Sequence, residues 1–420
     1  MSRLKVLGIS NPKAERNFLT KRLSIFRWLL PKLVTNLLWN RGIVMLKPMN
    51  AFDNIDDRKF YLLNKNKLLA CFHVEGTGVL EIIKIDKQFE TVPEWLGDLR
   101  AFIGNRRAPK KRENIARLLE MSGCDTIYGW LSITHALSLV DTYWVKPAGS
   151  GLTWEQVSLY THDFNEVVAK TAFEGGLHGY DLSTTSPEYG TDGTFAKCWI
   201  RENNIIKLMK RGSTGARNAG LEPYSEFYTS QIARELCLSH VDYGLRLHDG
   251  RVCSVCPAFT SEEIGYLPFA AVGSKLNELA YVIELFDSYG LREEAVNMFI
   301  FDAVIFNEDR HKGNFGFIIN NDTNEVIGMA PLFDHNIAML CYAEQEDFNQ
   351  IDNYLAEKGP RIGNTFVGDA KALLYPSMRK KLQNLYGFKF ERHPKINLPE
   401  ERLDALEKVI NRQIRLILDK

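Results

Sequence analysis

The amino-acid sequence predicts an α+β protein in which strands dominate the earlier part of the chain and helices the later part. Short apolar runs separated by turn residues fill 58–85 and 197–259, as expected of strands and hairpins. After residue 260 apolar residues recur mostly at helical spacing. Because strands cluster early and helices late, we expect a β-rich lobe packed on an α-rich lobe.

Length and charge limit the classes of protein to which this chain can belong. Its 420 residues are enough for two or three domains with a large buried core. Lysine plus arginine and aspartate plus glutamate each total 52, so the formal net charge is zero. A dedicated nucleic-acid binder usually carries a basic excess, and we therefore expect no direct nucleic-acid binding.

The seven cysteines are odd in number and scattered along the chain, which is typical of reduced thiols in a cytoplasmic protein. Cys253 and Cys256 form a CxxC pair, but no second pair follows. His240 and His248 lie nearby at a spacing wider than that of zinc fingers. We therefore interpret the pair as residues of a buried strand.

Residues 1–45 are predicted to form an amphipathic helical extension. Arg27 and Pro31 interrupt the apolar run, so it does not reach the roughly 20 apolar residues of a membrane-spanning helix, and we expect no transmembrane segment. The run also lacks the small-residue cleavage site of a signal peptide. Two alternatives stay open: a helix that lies on a membrane surface, and translation that begins at Met45 or Met49.

Residues 46–150 are predicted to form a small α+β accessory domain. The segments "LNKNKLL" and "EGTG" predict turns between short strands, and "KRENIARLLEMSG" predicts a helix that stops at Gly123. The basic run "RRAPKKR" at 106–112 is interpreted as the solvated entrance of a helix. This domain shows no catalytic signature.

Residues 151–260 contain a glycine-bearing loop followed by two hairpins with a helix between them. "KCWIRENNIIKLMKRGS" predicts a hairpin that turns at "ENN", and "HDGR" predicts the second turn. Pro223 suits the first turn of the helix between them. Residues 261–420 are predicted to be mostly helical, with a buried helix at 291–306 and one hairpin that turns at "NNDTNE".

Asp309, Asn314 and Asp334 form a candidate catalytic and metal site. Asp309 follows the buried helix, Asn314 opens the next strand, and Asp334 ends the hairpin in "PLFDH". A hairpin returns the chain to its start, so these side chains can converge. An aspartate that accepts a hydroxyl proton, followed at the fifth residue by a metal-binding asparagine, is the spacing of kinase catalytic loops. Asn314 and Asp334 are oxygen ligands of the kind that Mg²⁺ prefers, although Phe333 precedes the aspartate, the inverse of the usual order.

The earlier hairpin offers a lysine for nucleotide phosphates. Lys207 and Lys210 are three residues apart and therefore lie on opposite faces of a strand. We prefer Lys210, which lies at the strand end beside the glycine-bearing loop. Kinases hold such a lysine with a helix glutamate; Glu226 is the candidate, and Glu222 is the alternative.

Two further segments complete the predicted nucleotide site. The loop "YGTDGTFAK" would cover the phosphates, with Gly190 and Gly193 as its only glycines. The segment "CPAF" at 256–259 would be the hinge that bonds the adenine through its backbone. This places Pro257 and Phe259 beside the cofactor.

From about residue 180 to about residue 340 the chain resembles HipA-like serine/threonine kinases, bacterial kinases first known as toxins of toxin–antitoxin pairs. The motifs that carry the resemblance are "NEDRHKGN" at 307–314, "PLFDH" at 331–335 and "EPYSEFYTSQIARELC" at 222–237. More loosely, the chain from about residue 46 onward resembles a subgroup from Gram-positive bacteria and their mobile elements, in which "DTYWVKP" precedes the kinase part.

The resemblance implies a bilobal protein-kinase-like fold, ATP and Mg²⁺ as cofactors, and autophosphorylation on a serine of the phosphate loop. It also implies a protein substrate with a Ser or Thr acceptor and an antitoxin-like protein partner. The hydroxyl residues of the loop are Ser183, Thr184, Thr185, Ser186, Thr191 and Thr194.

We therefore expect an ATP- and Mg²⁺-dependent protein serine/threonine kinase with Asp309 as its catalytic base. Lys312 would help to neutralise the transferred phosphate, with a solvated lysine as the open alternative. Arg310 and His311 are expected to hold the loop, the histidine through a backbone carbonyl. Two other functions stay open. One is a small-molecule or lipid kinase, since these motifs do not encode the acceptor. The other is a nucleotide-binding pseudokinase that regulates a partner.

Overall fold

The computed structural model describes residues 58–180, 182–216, 218–273 and 277–419. The predicted extension at 1–45 and the alternative starts at Met45 and Met49 lie outside these ranges. Within them, no helix is both long enough and apolar enough to cross a membrane.

Eleven strands in the described ranges form three antiparallel sheets. The strands are β1 (Lys59–Asn64), β2 (Lys67–Glu75), β3 (Ile82–Gln88), β4 (Tyr143–Pro147), β5 (Lys197–Glu202), β6 (Ile205–Arg211), β7 (Gly244–His248), β8 (Arg251–Pro257), β9 (Ile264–Pro268), β10 (Gly316–Asn320) and β11 (Val326–Met329). The sheet orders are β3-β2-β1-β4, β5-β6-β8-β7 and β11-β10-β9.

Fourteen α-helices lie in the same described ranges. They are α1 (Leu99–Asn105), α2 (Ile115–Met121), α3 (Ile127–Thr134), α4 (Trp154–Val157), α5 (Glu166–Glu174), α6 (Glu222–Glu235), α7 (Phe269–Val272), α8 (Leu279–Ser288), α9 (Arg292–Ile305), α10 (Gln345–Asn349), α11 (Ile351–Ala356), α12 (Phe366–Leu373), α13 (Pro376–Leu385) and α14 (Glu400–Leu418).

The first sheet and α1–α3 form the core of the predicted accessory domain. β1 and β2 pair as the hairpin expected at "LNKNKLL", and Lys65 in its turn has a positive φ of 47°. Phe60, Phe72 and Trp130 are almost fully buried in this core. The core also includes Tyr189, which lies beyond residue 150, and the domain boundary therefore stays a prediction.

The second sheet carries the two hairpins expected between residues 197 and 259. β5 and β6 turn at Asn203 and Asn204, whose φ angles of 52° and 62° fit a two-residue type I′ turn. β7 and β8 turn at the expected "HDGR" segment. Cys253 and Cys256 are buried residues of β8, and all seven cysteines are free thiols.

The helical part surrounds α9, in which ten of fourteen residues are buried, as expected for the apolar run at 291–306. The third sheet differs from the prediction of a mostly helical region with one hairpin. Ile264–Pro268 forms β9, which pairs with all of β10 and turns the hairpin into a three-stranded sheet. Burial alternates along these five residues, a run too short to set a helical period.

The accessory part contacts the helical part through the turn between β10 and β11. Asn64 Nδ2 donates to the carbonyl oxygen of Asn321 at 2.7 Å. The Tyr143 hydroxyl donates to Asn324 Oδ1 at 2.7 Å. The order of strands and helices in the described ranges confirms the predicted α+β class, with a β-rich lobe, an α-rich lobe and an additional N-terminal α+β part.

Arg106 and Arg112 correct the interpretation of the basic run at 106–112 as a solvated helix entrance. Arg106 forms two bonds of 2.7 Å with the carboxylate of Asp141. Arg112 bonds Glu188 Oε2 at 2.7 Å, and both side chains of that pair are fully buried. These arginines therefore join segments in the interior, because each finds a buried carboxylate that neutralises it.

Candidate active site

Lys210 lies at the centre of a buried polar cluster between the second sheet and α6. Its ammonium group, on β6, donates to Glu226 Oε1 on α6 and to Asp334 Oδ1, the latter at 2.8 Å. Glu226 is held in turn by Ser254 on β8, whose hydroxyl donates to Glu226 Oε2 at 2.5 Å. The structure thus brings together the preferred lysine, the preferred glutamate and the candidate metal-binding aspartate.

The two alternatives named from the sequence have other partners. Lys207 donates to Glu202 at 3.0 Å from the opposite face of β6. Glu222 accepts hydrogen bonds from the Ser213 N–H at 3.1 Å and from the Tyr342 hydroxyl at 2.8 Å. The geometry therefore favours Lys210 and Glu226, and the region bordered by these two residues and Asp334 is called the cleft below.

Neighbouring charges set the protonation states around Lys210. Burial alone would raise the pKa of Asp334, but the ammonium groups of Lys210 and Lys197 outweigh burial and hold that pKa below its usual value. Burial alone would lower the pKa of Lys210, but Asp334 and Glu226 outweigh it and raise that pKa well above its usual value. Lys210 is therefore a cation and Asp334 an anion at neutral pH.

Asp334 adopts a backbone conformation that is uncommon for a residue with a side chain. Its φ is 58°, in the left-handed region, and its N–H donates to the Tyr243 hydroxyl at 3.0 Å. Residues held in this region often lie at functional sites. Here the residue carries the carboxylate to which Lys210 is bonded.

The predicted catalytic loop follows α9. Asn307 Nδ2 donates to Asp302 Oδ1 at 2.9 Å, and Asn307 Oδ1 accepts from the N–H of Asp309 at 3.1 Å. Asp309 Oδ1 accepts from Arg361 Nη1 at 2.5 Å. Asn307 thus holds the backbone of Asp309. An acceptor hydroxyl that reaches the Asp309 carboxylate would have to displace Arg361 or lie beside it.

Arg310 joins the catalytic loop to the segment that carries Asp334. Its guanidinium makes two bonds of 2.8 Å with Asp302 and donates to the Asn314 carbonyl oxygen at 2.7 Å. It also donates to His335 Nε2 at 2.8 Å. Burial, together with the charge of Arg310, lowers the pKa of His335 well below its usual value, so the imidazole is neutral and accepts this bond. This is the geometry expected of a residue that holds the loop.

His311 and Lys312 occupy the turn of the loop. His311 was expected to bond a backbone carbonyl; instead its Nδ1 atom accepts from the Gly313 N–H at 3.0 Å. The Lys312 carbonyl accepts from the N–H of Ala270 on α7 at 2.9 Å, which fixes the backbone of the turn. A role for the Lys312 ammonium group in neutralising phosphate stays a prediction.

Asn314 and Asp334 present oxygen atoms from two segments that Arg310 ties together. Asn314 is 5% exposed, and its Nδ2 atom donates to the Asp309 carbonyl at 3.3 Å. Because the amide nitrogen is used in this bond, the side-chain oxygen is the atom left for a cation. Hard oxygen donors of this kind fit Mg²⁺.

The two glycines of the predicted phosphate loop lie in different surroundings. Gly190 ends a 3₁₀ turn, and a Cβ atom there would lie 2.9 Å from the carbonyl oxygen of Leu137 in the accessory part. Gly193 has a φ of 106°, and a Cβ atom there would lie 1.9 Å from Lys197 Nζ. Gly193 thus faces the lysines of the cleft, whereas Gly190 packs against the accessory part; contact of Gly190 with phosphate stays a prediction.

The predicted hinge lies at the end of β8. Pro257 has no N–H, and the N–H of Ala258 donates to the Ile206 carbonyl at 2.9 Å. These two residues therefore offer only carbonyl oxygens to a bound base. The Phe259 ring packs on Phe333 with its centroid 5.2 Å away, which makes it an apolar wall of the same region.

Three residues of the site were not found from the sequence: Lys197, Arg112 and Arg361. A signal for Lys197 was present, because counting outward from the hairpin turn places it directly opposite Lys210. Arg112 and Arg361 had no such signal, since their acidic partners lie 76 and 52 residues away along the chain.

Comparisons with known proteins bear on the kinase motifs. No family model matches the chain. A curated protein, the serine/threonine-protein kinase CtkA of Helicobacter pylori (strain J99), is 24% identical over 207 residues, which are 45% of this chain and 59% of CtkA. This chain is similar to a serine/threonine kinase. It matches only that 59% of the length of its curated relative.

Two solved structures are similar to the chain in fold. The crystal structure of the H. pylori proinflammatory kinase CtkA superposes with a TM-score of 0.41 and 17% identity, covering 53% of this chain and 92% of that one. A complex of HipA, HipB and operator DNA from the toxin–antitoxin system of Shewanella oneidensis MR-1 superposes with a TM-score of 0.46 and 11% identity, covering 86% and 99%. The predicted resemblance to serine/threonine kinases is confirmed by the match to CtkA, whereas the Gram-positive and mobile-element subgroup stays a prediction.

Proposed function

We propose that this protein is an ATP- and Mg²⁺-dependent protein serine/threonine kinase of HipA type, which transfers the γ-phosphate of ATP to a Ser or Thr hydroxyl. The observation that carries the proposal is the bonded cluster of Lys210, Glu226 and Asp334, tied through Arg310 to the loop of Asp309. Phosphoryl transfer depends mainly on positioning and on charge stabilisation, and this cluster supplies both.

Asp309 is the proposed catalytic base. Its carboxylate accepts the proton of the acceptor hydroxyl as the hydroxyl oxygen attacks phosphorus. Asn307 orients Asp309 by accepting a hydrogen bond from the Asp309 N–H with its side-chain oxygen. Lys312, on the same loop, is proposed to neutralise negative charge on the transferred group.

ATP and Mg²⁺ fit the residues present. The side-chain oxygens of Asn314 and Asp334 would hold the metal ion, which supplies neutralisation of phosphate charge when bound. Lys210 is kept cationic by its two acidic neighbours, so it can bind phosphate. Gly193 keeps the loop backbone clear of a side chain on the cleft side.

The remaining predicted residues support the nucleotide indirectly. Glu226 fixes the position of Lys210. Phe259, packed on Phe333, would border the adenine, and Pro257 would face it with its carbonyl group. Gly190 would act through the packing of its loop on the accessory part.

Autophosphorylation of the phosphate loop is part of the proposal. Ser183 and Thr194 are exposed, although the Ser183 hydroxyl donates to the Ser122 carbonyl at 3.0 Å. Ser186, in contrast, is 1% exposed, and the Thr191 hydroxyl donates to the Pro187 carbonyl at 2.7 Å. Because Thr184, Thr185 and Thr191 are only half-exposed, we favour Ser183 and Thr194 as acceptors over the other hydroxyl residues of the loop.

A role as the toxin of a toxin–antitoxin pair is proposed from the resemblance alone. The Shewanella HipA was solved together with HipB and operator DNA, and we propose an antitoxin-like protein partner for this chain as well. The zero net charge is consistent with a protein that does not bind nucleic acid directly. The free thiols are consistent with a cytoplasmic location.

The decisive experiment incubates the purified protein with labelled ATP and Mg²⁺ and maps the phosphorylated residues by mass spectrometry. We expect label at Ser183 or Thr194, and Asp309→Asn should reduce transfer by at least about 100-fold while ATP still binds. Glu308→Gln is the matched control, because the neighbouring acid pairs with Lys358 and should not affect transfer.

Other outcomes of the same experiment would redirect the proposal. ATP turnover without a phosphoprotein would favour a small-molecule or lipid acceptor. ATP binding without turnover would indicate a pseudokinase that regulates a partner. Unchanged transfer in Asp309→Asn would remove the base assignment.

A further inference from the structure

A group of histidine and carboxylate side chains lies outside the candidate active site, where the end of α5 meets the turn between β7 and β8. Glu174 is the last residue of α5, His248 is the last residue of β7, and Asp249 follows it in the turn. One nitrogen or oxygen atom from each of the three side chains lies within 4.8 Å of the others. Glu174 lies 74 positions before His248, so only the fold brings the glutamate to the other two residues.

The local backbone explains this convergence. Asp249 and Gly250 have φ angles of 48° and 72°, as in the two-residue type I′ turns of tight hairpins. The turn sets Asp249 beside His248, with Asp249 Oδ2 3.7 Å from His248 Nε2. The His248 ring packs edge-on against the buried ring of Phe173, with the centroids 5.1 Å apart. Its Nε2 atom lies 2.9 Å from Oε1 of the next helical residue, Glu174.

A second histidine contacts the other oxygen of the same glutamate. Gly175 and Gly176 have φ angles of 75° and 77°, which end α5 and turn the chain. His178 Nε2 then lies 3.3 Å from Glu174 Oε2 and 2.8 Å from the Gly175 carbonyl oxygen. Glu174 therefore has a histidine nitrogen at each of its two carboxylate oxygens.

The carboxylates of this group are not balanced by a strong base. In the ranges that the structure describes, Glu174 and Asp249 form ion pairs only with His178 and His248, and with no lysine or arginine. Glu174 also ends a helix, where the peptide dipoles disfavour a negative charge and favour a cation. When both imidazoles are neutral, the two carboxylates carry two negative charges, which a divalent cation would balance.

The donor atoms fit a divalent transition-metal ion such as Zn²⁺. Zinc binds histidine nitrogen and carboxylate oxygen at about 2.0–2.2 Å, so the ligand atoms of a tetrahedral site lie about 3.3–3.6 Å apart. The separations of 2.9 Å and 3.7 Å between His248 Nε2 and the two carboxylates lie on either side of that range. Imidazole is a usual ligand of zinc, whereas Mg²⁺ and Ca²⁺ prefer oxygen ligands.

We propose that Glu174, His248 and Asp249 bind a divalent transition-metal ion of the zinc class, with a water molecule as the fourth ligand. His178 orients Glu174 through its second oxygen, as the outer partners of metal-binding carboxylates do. The ion joins the end of α5 to the turn between β7 and β8. This site shares no residue with the proposed Mg²⁺ site, and it does not depend on the proposed function.

The test titrates Zn²⁺ into the full chain in a calorimeter, after a chelator has removed bound metal. Excess Mg²⁺ is present to occupy the proposed active site, and no nucleotide is added. We expect the chain to bind a single zinc ion, and His248→Gln should weaken this binding by at least about tenfold. His178→Leu, which leaves the three ligands in place, should weaken it by a smaller factor.

His73→Gln is the matched control. His73 also lies between two carboxylates, but Asp86 contacts its Nδ1 atom and Glu75 its Nε2 atom, so the three groups do not converge on one ion. The affinity for Zn²⁺ should be unchanged in this variant. Equal affinity in His248→Gln and the unaltered chain would overturn the proposal, and so would the absence of zinc binding by the unaltered chain.

Two measurements on the unaltered protein cover the case in which His248→Gln does not fold. Co²⁺ in place of Zn²⁺ should give visible absorption bands without the intense charge-transfer band of a cobalt–thiolate bond; that band would place the ion on cysteines and contradict the proposal. Diethyl pyrocarbonate modifies accessible histidines, and peptide mass spectrometry should show that Zn²⁺ protects His248 and leaves the exposed His162 unchanged. Equal modification of His248 with and without Zn²⁺ would also contradict the proposal.

Discussion

Two buried arginines hold the two sides of the candidate cleft, and their partners have different origins. Arg310 and Arg112 are each 2% exposed. Arg310 bonds Asp302, eight residues away, and the carbonyl of a residue four positions later. Arg112 bonds Glu188, 76 residues away, and the carbonyl of Lys197, 85 residues away.

The predicted catalytic loop is thus held mainly by residues close to it in the chain, whereas the predicted phosphate loop is held by a residue that lies far from it in the chain. The residues that fix the backbone of Asp309 belong to α9 or to the loop itself. The turn that ends at Gly190 and the start of β5 are instead held by a side chain from the accessory part. The accessory part therefore helps to position the predicted phosphate loop, although it carries no catalytic motif of its own.

The largest effect is expected from Arg310→Met. The substitution leaves the Asp302 carboxylate buried without its guanidinium, and the loss of one partner of a buried pair typically costs about 3–5 kcal/mol. We expect the free energy of unfolding in urea to fall by that amount and phosphoryl transfer to be lost. The double variant Arg310→Met/Asp302→Leu should recover part of the stability but no activity. A loss below about 1 kcal/mol would be inconsistent with an arginine that holds the loop.

Arg112→Met should have a smaller effect that depends on pH. Burial raises the pKa of Glu188 above its usual value, although Arg112 opposes this. Without Arg112, Glu188 can take up a proton and avoid part of the penalty. In the variant, the pKa of Glu188 in the folded state then lies above its pKa in the unfolded state. The stability that protonated Glu188 preserves is therefore fully present below the unfolded-state pKa, and it is lost as the pH rises through the folded-state pKa.

Thermal unfolding of Arg112→Met at pH 5 and pH 8 measures this effect. The loss relative to the unaltered chain should be larger at pH 8, and adding Glu188→Gln should remove the pH dependence. Equal losses at both pH values would mean that Glu188 remains ionised without Arg112. Arg112 would then resemble Arg310, in that its loss leaves an ionised carboxylate buried without its partner.

Two alanine substitutions on the phosphate side should separate stability from nucleotide binding. Gly190→Ala brings a Cβ atom to 2.9 Å from the backbone oxygen of Leu137, and we expect a loss of about 1–3 kcal/mol in stability with nearly unchanged nucleotide affinity. Gly193→Ala crowds Lys197 Nζ at a φ of 106°, and we expect weaker binding of Mg·ATP. Melting temperatures and dissociation constants of both variants provide the check; similar changes in affinity would show that both glycines face the cleft.

The smallest effect is expected from Arg361→Gln on the catalytic side. Arg361 is about half exposed, and exposed ion pairs contribute about 0–1 kcal/mol. We expect stability within about 0.5 kcal/mol of the unaltered chain and an increase of up to about fivefold in kcat/KM for the acceptor, because Asp309 is released. Lys358→Gln, which removes the neighbouring pair with Glu308, should leave kcat/KM unchanged. A large decrease for Arg361→Gln would instead assign Arg361 to acceptor binding.

The sequence predicts the catalytic side of the site more completely than the phosphate side. Asp309, Arg310 and Asn314 lie within six consecutive positions, so their spacing alone places them together. Lys210 was preferred over Lys207 for its position at the strand end, and Glu226 was preferred over Glu222 on the helix that follows. The roles of these residues stay predictions, but the structure brings them into contact.

The phosphate side could not be predicted because its contacts are long-range. A run of basic residues has the same local pattern whether it is solvated or buried, and only the folded chain shows Glu188 opposite Arg112. β9 was missed because five residues do not establish a period. The position of Lys197 opposite Lys210, in contrast, could be predicted by extending the hairpin register from the turn to the strand end.

The bonds between the accessory part and the segment after β8 bear on how the cleft could open. The Thr260 hydroxyl donates to the Leu139 carbonyl at 2.5 Å, and the Tyr266 N–H donates to the Val140 carbonyl at 2.7 Å. Thr260 lies within the connection between β8 and β9, and Tyr266 lies in β9 itself. Rotation of the two lobes at this connection would require both bonds to break. The accessory part therefore restrains rotation at the connection between the two lobes.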